Sequence, residues 1–361
     1  MAKEVERMAE LANTKEQREA NHSLNKIQRF RETKLGKQLP GVVLVFVIAF
    51  VSQSVGKDIP LLGSTVTAIL LGMLIRNFIG LPAVFDLGVQ YSLKSLLKLA
   101  IILLGTSLNL WQVFTIGSQS IVAIFAAVIL GILLTMYIGR WMGVTGNIPA
   151  LIGVGTAICG ATAIATVSPI MKAKEEETAF AVTTIFIFNV IAVIFYPILG
   201  SLLELSSQVF GMWAGTAIHD TSSVVAAGYA YSNEAGGIAT VVKLTRTLFL
   251  VPVAILIGIY MSMKSSGHGQ EGRVKVSKIF PWFLLGFLCM SVLNTMGVFN
   301  ENLVEQITAV SKFIILMAMV SVGLGADFKK IREIGLKPVY LGLIASVIVA
   351  VVSLFIIYLV V

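Results

Sequence analysis

The chain has 361 residues, of which 57% are hydrophobic and only 13% are charged, and its mean hydropathy is +0.90. This composition leaves too little polar surface for a soluble domain, so the sequence predicts an all-α polytopic membrane protein. The net charge of +8 is better explained by Lys and Arg in loops on one side of a bilayer than by binding of nucleic acid.

Residues 1–38 form a polar tail that is rich in Lys, Arg and Glu. Its apolar residues are too sparse for a buried core, and no small-residue cleavage site follows, so the tail does not resemble a signal peptide. We predict a cytosolic tail, and an interfacial helix on anionic lipid is the alternative. Residues 39–361 are then a single transmembrane domain.

Eleven hydrophobic segments follow the tail and are predicted to be helices. Their ranges are 39–55, 60–80, 93–113, 118–141, 148–171, 177–200, 210–231, 235–262, 279–297, 303–325 and 337–361. Basic residues cluster before the first segment and after the second, fourth, eighth and tenth. These clusters share one side if every segment spans, which predicts a cytoplasmic N-terminus.

Some of these segments repeat. Residues 72–80 resemble 289–297, and residues 104–110 resemble 320–326. Segments two to four then recur as segments nine to eleven. Because seven segments separate the copies, the two copies would have opposite orientations. The sequence therefore predicts an inverted-topology repeat.

Two related octapeptides interrupt the hydrophobic pattern: GTAICGAT at 155–162 and GTAIHDTS at 215–222. Gly, Thr and Ser hold a helix poorly, so two broken helices are predicted, in segments 148–171 and 210–231. Paired breaks at membrane depth are typical of a transporter binding site. We favour full spans with unwound centres over re-entrant hairpins that enter from opposite faces.

Segment eight carries two cations, Lys243 and Arg246, which an i, i+3 spacing places on one helix face. Arg246 would lie roughly 15 Å into the bilayer, where an unpaired cation costs about 2.5–3.5 kcal/mol. Both cations must therefore face protein, water or an anion, although a snorkelling side chain or a structural ion pair is the alternative. Asp220 is the predicted partner, and it is also predicted to cap the helix that follows it.

These residues together predict a site for a small anion. One carboxylate against two cations leaves one positive charge when His219 is neutral, and two half-helix N-termini add N–H donors. The Arg246 guanidinium suits the oxygens of sulfate, a sulfonate or a carboxylate. The predicted substrate-binding residues are Thr156, Cys159, Gly160, Ala161, Thr162, His219, Asp220, Thr221, Ser222, Ser223, Lys243 and Arg246. Additional polar contacts are predicted from Thr106, Ser107, Asn109 and Asn189, with interhelical hydrogen bonding as the alternative for the asparagines.

No catalytic residue, metal site or cofactor is predicted. His219 is a candidate for proton coupling, with a neutral hydrogen-bonded histidine as the alternative. Cys159 is predicted to be a small buried residue, because no His–Asp arrangement would activate it. The two cysteines and three histidines show no ligand spacing, and no Walker or GxGxxG pattern is present. The sequence leaves open only a coupling ion, H⁺ or Na⁺.

Several stretches resemble a known family: ALIGVGTAICGATAIA, GMWAGTAIHDTSSVVAAGYAYSNEAGGIATVVKLTRTLFLVPV and FPWFLLGFL. They are similar to the YeiH-type family of bacterial membrane proteins, which is labelled a sulfate exporter family. The resemblance covers nearly everything after the tail and implies a secondary transporter of the bacterial cytoplasmic membrane. The breaks and the GLGADFKK pattern are also similar to bile-acid symporters and cation/proton antiporters. That similarity implies a panel and a core domain, interleaved in sequence, with discontinuous helices that cross near the midplane.

The leading hypothesis is an ion-coupled secondary transporter of a small anion, sulfate or a sulfonate, which works by alternating access. A cation/proton antiporter that uses Asp220 and His219 is the alternative, although the internal cations argue against it. A membrane-embedded enzyme with Cys159 or His219 as the catalytic group is a third hypothesis. The expected partners are the anion, the lipid bilayer and a second copy of the chain, and nucleic acid is not expected.

Overall fold

The computed structural model describes residues 33–58, 63–264, 280–326 and 336–360, and this part of the chain is helical without any strand. The helices are α1 (Lys34–Asp58), α2 (Gly63–Leu74), α3 (Ala83–Ser107), α4 (Leu110–Trp141), α5 (Ile148–Ala157), α6 (Ala161–Ile170), α7 (Glu175–Leu202), α8 (Ser207–Ala217), α9 (Thr221–Tyr231), α10 (Asn233–Leu248), α11 (Leu250–Lys264), α12 (Phe283–Thr295), α13 (Glu301–Gly325) and α14 (Leu336–Val360). The all-α prediction is confirmed.

Seven of the described helices are long and apolar enough to cross a membrane, counting α10 and α11 as one. The other apolar helices, α2, α5, α6 and α12, are shorter. Each of the eleven predicted segments has a helical counterpart. The first helix begins at Lys34, within the predicted tail, and residues 1–32 of that tail lie outside the described residues.

Segment five is a re-entrant hairpin. Its arms α5 and α6 are joined by a tip of three residues, Ile158–Gly160. The backbone N–H of Asn147, just before α5, donates to Glu177 Oε1 in α7 over 3.0 Å. Ser168, near the end of α6, hydrogen-bonds Thr178 in the same first turns of α7. Both ends of the hairpin therefore lie at the start of α7.

Segment seven is a second re-entrant hairpin, with arms α8 and α9 and a tip at Ile218–Asp220. The hydroxyl oxygens of Ser207 and Ser232 are 2.9 Å apart, at the outer ends of the two arms. The rings of Phe210 and Tyr231 stack there with centroids 3.9 Å apart. The predicted full spans with unwound centres are wrong. Each arm has only 10 or 11 residues, roughly 15 Å of helix, and the chain reverses at the tip instead of continuing.

The hairpins enter from opposite faces of the helix bundle. We call the end at which α1 begins the N-terminal face. Gly88 near the start of α3 packs against Gly41 of α1, so α3 also begins at this face, and α4, which follows it, returns there. Gly139 near the end of α4 packs against Pro149 at the start of α5. The first hairpin therefore opens on the N-terminal face. α7 crosses to the opposite face, so the second hairpin opens on that face.

The inverted repeat is confirmed by packing. Gly72 of α2 lies against Gly323 of α13, with no room for a Cβ between them. In the same way, Gly105 of α3 lies against the backbone of Phe287 in α12. The predicted alignment of α2–α4 with α12–α14 maps the first contact onto Cys289 and Ser107, within two residues of the second contact on each helix. The two copies therefore pack on each other by reciprocal contacts.

Two apolar clusters form the interior. Helices α1, α2, α3, α12 and α13 contribute to one cluster, and α4, α5, α6, α8 and α14 contribute to the other. Helices α7, α9 and α10 have residues in both clusters. These three helices join the two groups, and all three carry residues predicted for the site or for its additional polar contacts.

Candidate functional site

The two hairpin tips touch each other inside the bundle. A Cβ placed on Gly160 would lie 3.5 Å from the carbonyl oxygen of His219. The His219 ring bridges to two other elements: Nδ1 is 3.0 Å from the carbonyl oxygen of Thr156, and Nε2 is 2.8 Å from Ser346 Oγ in α14. The two octapeptides of the sequence are thus brought together face to face.

Lys243 joins both tips with its ammonium group. Its Nζ donates to the carbonyl oxygens of Ile158 at 2.8 Å, Ile218 at 2.9 Å and His219 at 2.5 Å. The side chain is fully buried. An ammonium has three protons, so three carbonyl acceptors complete its hydrogen bonding.

Arg246 makes a parallel set of contacts one helical turn further along α10. Its Nε donates to the carbonyl oxygen of Ala157 at 2.7 Å and its Nη1 to that of Ile218 at 3.1 Å. Its Nη2 donates to the carbonyl oxygen of Thr156. This side chain is also fully buried. The predicted common face of the two cations is therefore directed at the ends of α5 and α8.

Lys243 and Arg246 contact these carbonyls because of where the first arm of each hairpin, α5 or α8, ends. The last carbonyls of a helix have no intrahelical partner, and the C-terminal end of a helix carries a partial negative charge. Helices α5 and α8 both end at the tips, deep inside the bundle, where water does not replace the missing donors. Lys243 and Arg246 supply those donors and the compensating charge. Both side chains therefore bind backbone carbonyls in this structure.

Asp220 caps the second arm of its hairpin, as the sequence predicted. Its Oδ2 accepts the N–H of Ser222 at 2.9 Å and also accepts the Ser222 hydroxyl. Its own N–H donates to Asn189 Oδ1 of α7 at 3.0 Å, which is the interhelical bond considered for that asparagine. Within the described ranges, no ion pair joins Asp220 to Lys243 or Arg246. The predicted pairing is wrong because backbone carbonyls occupy both cations.

The N-terminus of α6 is the open part of the site. The first N–H groups of a helix have no intrahelical partner. Buried Cys159 lies just before this terminus, in the tip. Ala161 and Thr162 are exposed, and Gly160 provides no side-chain cap. Backbone donors and a hydroxyl are therefore presented to open space beside the tips.

The other predicted residues divide between the tips and another region. At the tips, Thr156 Oγ1 is buried and has no hydrogen-bond partner among the described residues. Thr221 is half-buried, and Ser222 and Ser223 are buried in the first turn of α9. Thr106 is buried and donates to its own helix, whereas Ser107 and Asn109 line a cavity near the opposite face. The structure thus separates Thr106, Ser107 and Asn109 from the tips.

Comparison with known proteins places the chain in a family. The family model described as "Conserved hypothetical protein 698" matches residues 40–342. The chain belongs to this family. A UPF0324 membrane protein of Clostridium tetani is 36% identical over 326 residues, which cover 87% of this chain and 94% of the relative. A UPF0324 membrane protein of Streptococcus agalactiae is 38% identical over 314 residues, covering 85% and 92%. The resemblance to the YeiH-type family is thereby confirmed.

Two features of this UPF0324 family member were missed in the sequence. Ser346 is one of two serines in the apolar helix α14, and nothing in the sequence distinguishes it from Ser353, because both donate to their own helix backbone. The carbonyl ligands of Lys243 and Arg246 had a signal, however. Two helix breaks at membrane depth leave unpaired carbonyls, and two cations in the following helix are the donors that could satisfy them.

Proposed function

We propose that the protein is an ion-coupled secondary transporter of a small anion, sulfate or a sulfonate, that works by alternating access. The observation that carries this proposal is the meeting of two opposed re-entrant hairpins around two buried cations. Irregular backbone at this depth is stable only where protein or water satisfies it, and such paired breaks are typical of transporter sites.

The charges of the tips favour an anion. The two cations offset the negative ends of α5 and α8, and the positive ends of α6 and α9 lie at the same level. Two cations against the single carboxylate of Asp220 leave one positive charge when His219 is neutral. Ala161 and Thr162 are exposed residues in the first turn of α6, where N–H groups have no intrahelical partner, and the Thr156 hydroxyl has no partner among the described residues. Such groups are the donors that an oxyanion requires.

The distribution of charge supports a cytoplasmic N-terminus in a bacterial inner membrane. Exposed basic side chains at the N-terminal face include Lys37, Arg140, Lys172, Lys174 and Lys337, whereas exposed acidic side chains at the opposite face include Glu204, Glu234, Glu301 and Glu305. Lys and Arg gather on the cytoplasmic side of membrane proteins. The two apolar clusters would then act as panel and core, which shift against each other.

The structure gives the antiporter alternative less support. Cation transport through Asp220 requires a carboxylate that is free to bind the cation. Here the Asp220 carboxylate is engaged by the first turn of α9, and two buried cations lie nearby. We therefore retain the anion transporter as the single proposal.

Flux measurements in proteoliposomes test this proposal. We expect uptake of radiolabelled sulfate or methanesulfonate by the wild-type chain, and a fall of about tenfold in Thr162→Val, which removes an exposed hydroxyl without changing the side-chain shape. Thr166→Val is the matched control, because Thr166 lies one turn further from the tip on the same side of α6. Equal flux in wild type and Thr162→Val would remove the proposed site.

A second variant separates the anion transporter from the antiporter. Asp220→Asn keeps a good N-cap for α9 but removes its charge, so the fold is expected to survive. Because the site becomes more positive, we expect anion affinity to rise. If the protein were an antiporter instead, Asp220→Asn would abolish dissipation of a pH gradient by Na⁺ or K⁺ in the same vesicles.

A further inference from the structure

Two cavities meet near the opposite face, away from the hairpin tips. The larger has a volume of about 690 Å³ and lies between the end of α3, the start of α4 and helices α8, α10 and α13. The smaller has a volume of about 190 Å³ and lies between α1, α2 and α13. Both are lined by Tyr229, Asn233 and Lys312. These three residues therefore form the junction of the two chambers.

Lys312 at this junction is a cation without a counter-ion. The side chain is half-buried, and its Nζ donates to Asn233 Oδ1 over 2.7 Å. It also lies 5.4 Å from the centre of the Tyr229 ring, a cation–π contact. No carboxylate among the residues in the described ranges lies within 4.0 Å of it. Asn233 uses one of the three ammonium protons, so donors remain for a ligand.

A second observation points to a ligand at the same place. Thr308 lines the larger cavity, and its Oγ1 is buried without a hydrogen-bond partner among the described residues. Thr308 and Lys312 are four residues apart on α13, so they share one helix face. A buried hydroxyl without a partner is costly, and an acceptor next to Lys312 would satisfy both groups.

The walls of the larger cavity indicate the size and type of ligand. Ligand pockets commonly have volumes of about 300–1,000 Å³, and this cavity is much larger than an inorganic oxyanion needs. Its lining combines the apolar groups of Leu108, Trp111 and Ile238 with the amides of Gln112 and Gln119. One carboxylate, Glu234, is exposed at its edge. Such a wall suits a ligand with an apolar body and a few polar atoms.

We propose that Lys312 and Thr308 form a second anion-binding site, which takes a small organic sulfonate or carboxylate. The acidic head binds the ammonium and the Thr308 hydroxyl, and the body occupies the larger chamber. Gly237, at the chamber wall, precedes Lys243 on α10 by roughly 9 Å of helix. The site is therefore the entry point to the hairpin tips. This role rests on the proposed function, whereas binding of a ligand at Lys312 and Thr308 does not.

Calorimetric titration of the purified full chain with benzenesulfonate and with inorganic sulfate tests the site. We expect Lys312→Gln to bind benzenesulfonate about tenfold or more weakly than wild type, Thr308→Val about threefold more weakly, and Lys312→Arg within about threefold. Lys94→Gln, an exposed lysine on α3, is the matched control and should bind as wild type does. Equal affinity in wild type and Lys312→Gln would overturn the proposal, as would an equal loss in Lys94→Gln or tighter binding of sulfate than of benzenesulfonate.

The two proposals fail in different ways. If benzenesulfonate binding depends on Lys312 but no anion enters proteoliposomes, the second site stands and the transporter proposal falls. If anions are transported while wild type and Lys312→Gln bind benzenesulfonate equally, the transporter stands and the second site falls. When both hold, Lys312→Gln should raise the KM for uptake and leave the maximal rate within about twofold.

Discussion

Lys243 and Arg246 are charged, fully buried and bonded only to backbone carbonyls. A buried ion is costly unless polar groups replace its water shell. Here the replacement comes from carbonyls that the ends of α5 and α8 would otherwise leave unpaired. The cations and the carbonyls therefore offset each other's burial cost. Loss of Lys243 would leave the Ile158 and His219 carbonyls without a donor, and loss of Arg246 would leave that of Ala157.

Arg246→Leu is expected to destabilise the protein strongly. It leaves the buried Ala157 carbonyl oxygen without a donor, at about 1–3 kcal/mol, and removes one of two donors from each of the Thr156 and Ile218 carbonyl oxygens. We expect the free energy of unfolding to fall by about 3 kcal/mol or more. The measurement is the midpoint temperature of thermal unfolding in detergent, which should fall with it. Arg140→Leu, which removes an exposed arginine, is the control and should unfold near the wild-type midpoint. Similar midpoints for Arg246→Leu and wild type would contradict the capping role.

At the residue scale, the sequence predicted the need for partners but not their identity. The spacing of Lys243 and Arg246 gave their common face, and the cost of burial implied contacts. Asp220 was chosen because opposite charges attract, yet it caps α9 instead. Unpaired carbonyls carry no formal charge and depend on where each helix ends, so counting charged side chains overlooks them.

At the scale of elements, each hairpin reverses within a three-residue tip. The first reversal depends on Gly160, whose φ of +63° and ψ of −129° belong to a region that residues with a Cβ rarely adopt. Glycine therefore allows α6 to start directly beside the end of α5 and sets the position of its exposed N-terminus.

Gly160→Ala should therefore be destabilising even though the nearest atoms leave space for a Cβ at 3.4 Å. We expect a loss of about 1–3 kcal/mol in the free energy of unfolding from backbone strain alone. The control is Gly117→Ala, two turns inside α4, where the new Cβ would also lie 3.4 Å from its nearest neighbour and the backbone is helical. That change should be neutral or stabilising.

A cross-link tests the reversal of the second hairpin. Ser207→Cys combined with Ser232→Cys should form a disulfide on mild oxidation, because the two hydroxyl oxygens are 2.9 Å apart. In a continuous span these positions would be roughly 30 Å or more apart, too far for a disulfide. Gel mobility after proteolysis between the two positions measures the link. Ser207→Cys alone, which cannot form this link, gives the background.

The sequence predicted both breaks but not the reversals. Helix-breaking residues are the same whether a chain kinks and continues or turns back. The difference lies in contacts such as that of Asn147 with Glu177, which join residues from separate segments. The wrong preference for full spans therefore reflects information that local composition does not contain.

At the scale of the molecule, the two hairpins should be accessible from different sides of the membrane. Lys174 follows the first hairpin, and Gln208 begins the second; both side chains are exposed. In a Cys289→Ser background, an impermeant thiol reagent added outside right-side-out vesicles should label Gln208→Cys and not Lys174→Cys. Inverted vesicles should give the reverse result. Labelling of both positions from one side would contradict the opposed entry of the hairpins.

The inverted repeat was the part of the architecture that the sequence predicted best. Weak local matches in the same order were enough to predict it. Gly72 and Gly105 lie against the backbone of another helix, so these contacts require small residues in both copies. The cavity around Lys312 was not predictable. Its walls come from α3, α4, α8, α9, α10 and α13, and only their packing brings these residues together.

The bonding of the tips restricts how the molecule can operate. Lys243 and Arg246 each hold carbonyls of both hairpins, so the hairpins cannot part without exposing two ions and several acceptors to hydrocarbon. The tips consequently behave as one mechanical body, although they come from distant stretches of the chain. Access from either face cannot arise from a gate that opens between them. Under the proposed transport function, access would instead arise by displacement of the joined pair past the surrounding helices, with the anion carried at its edge.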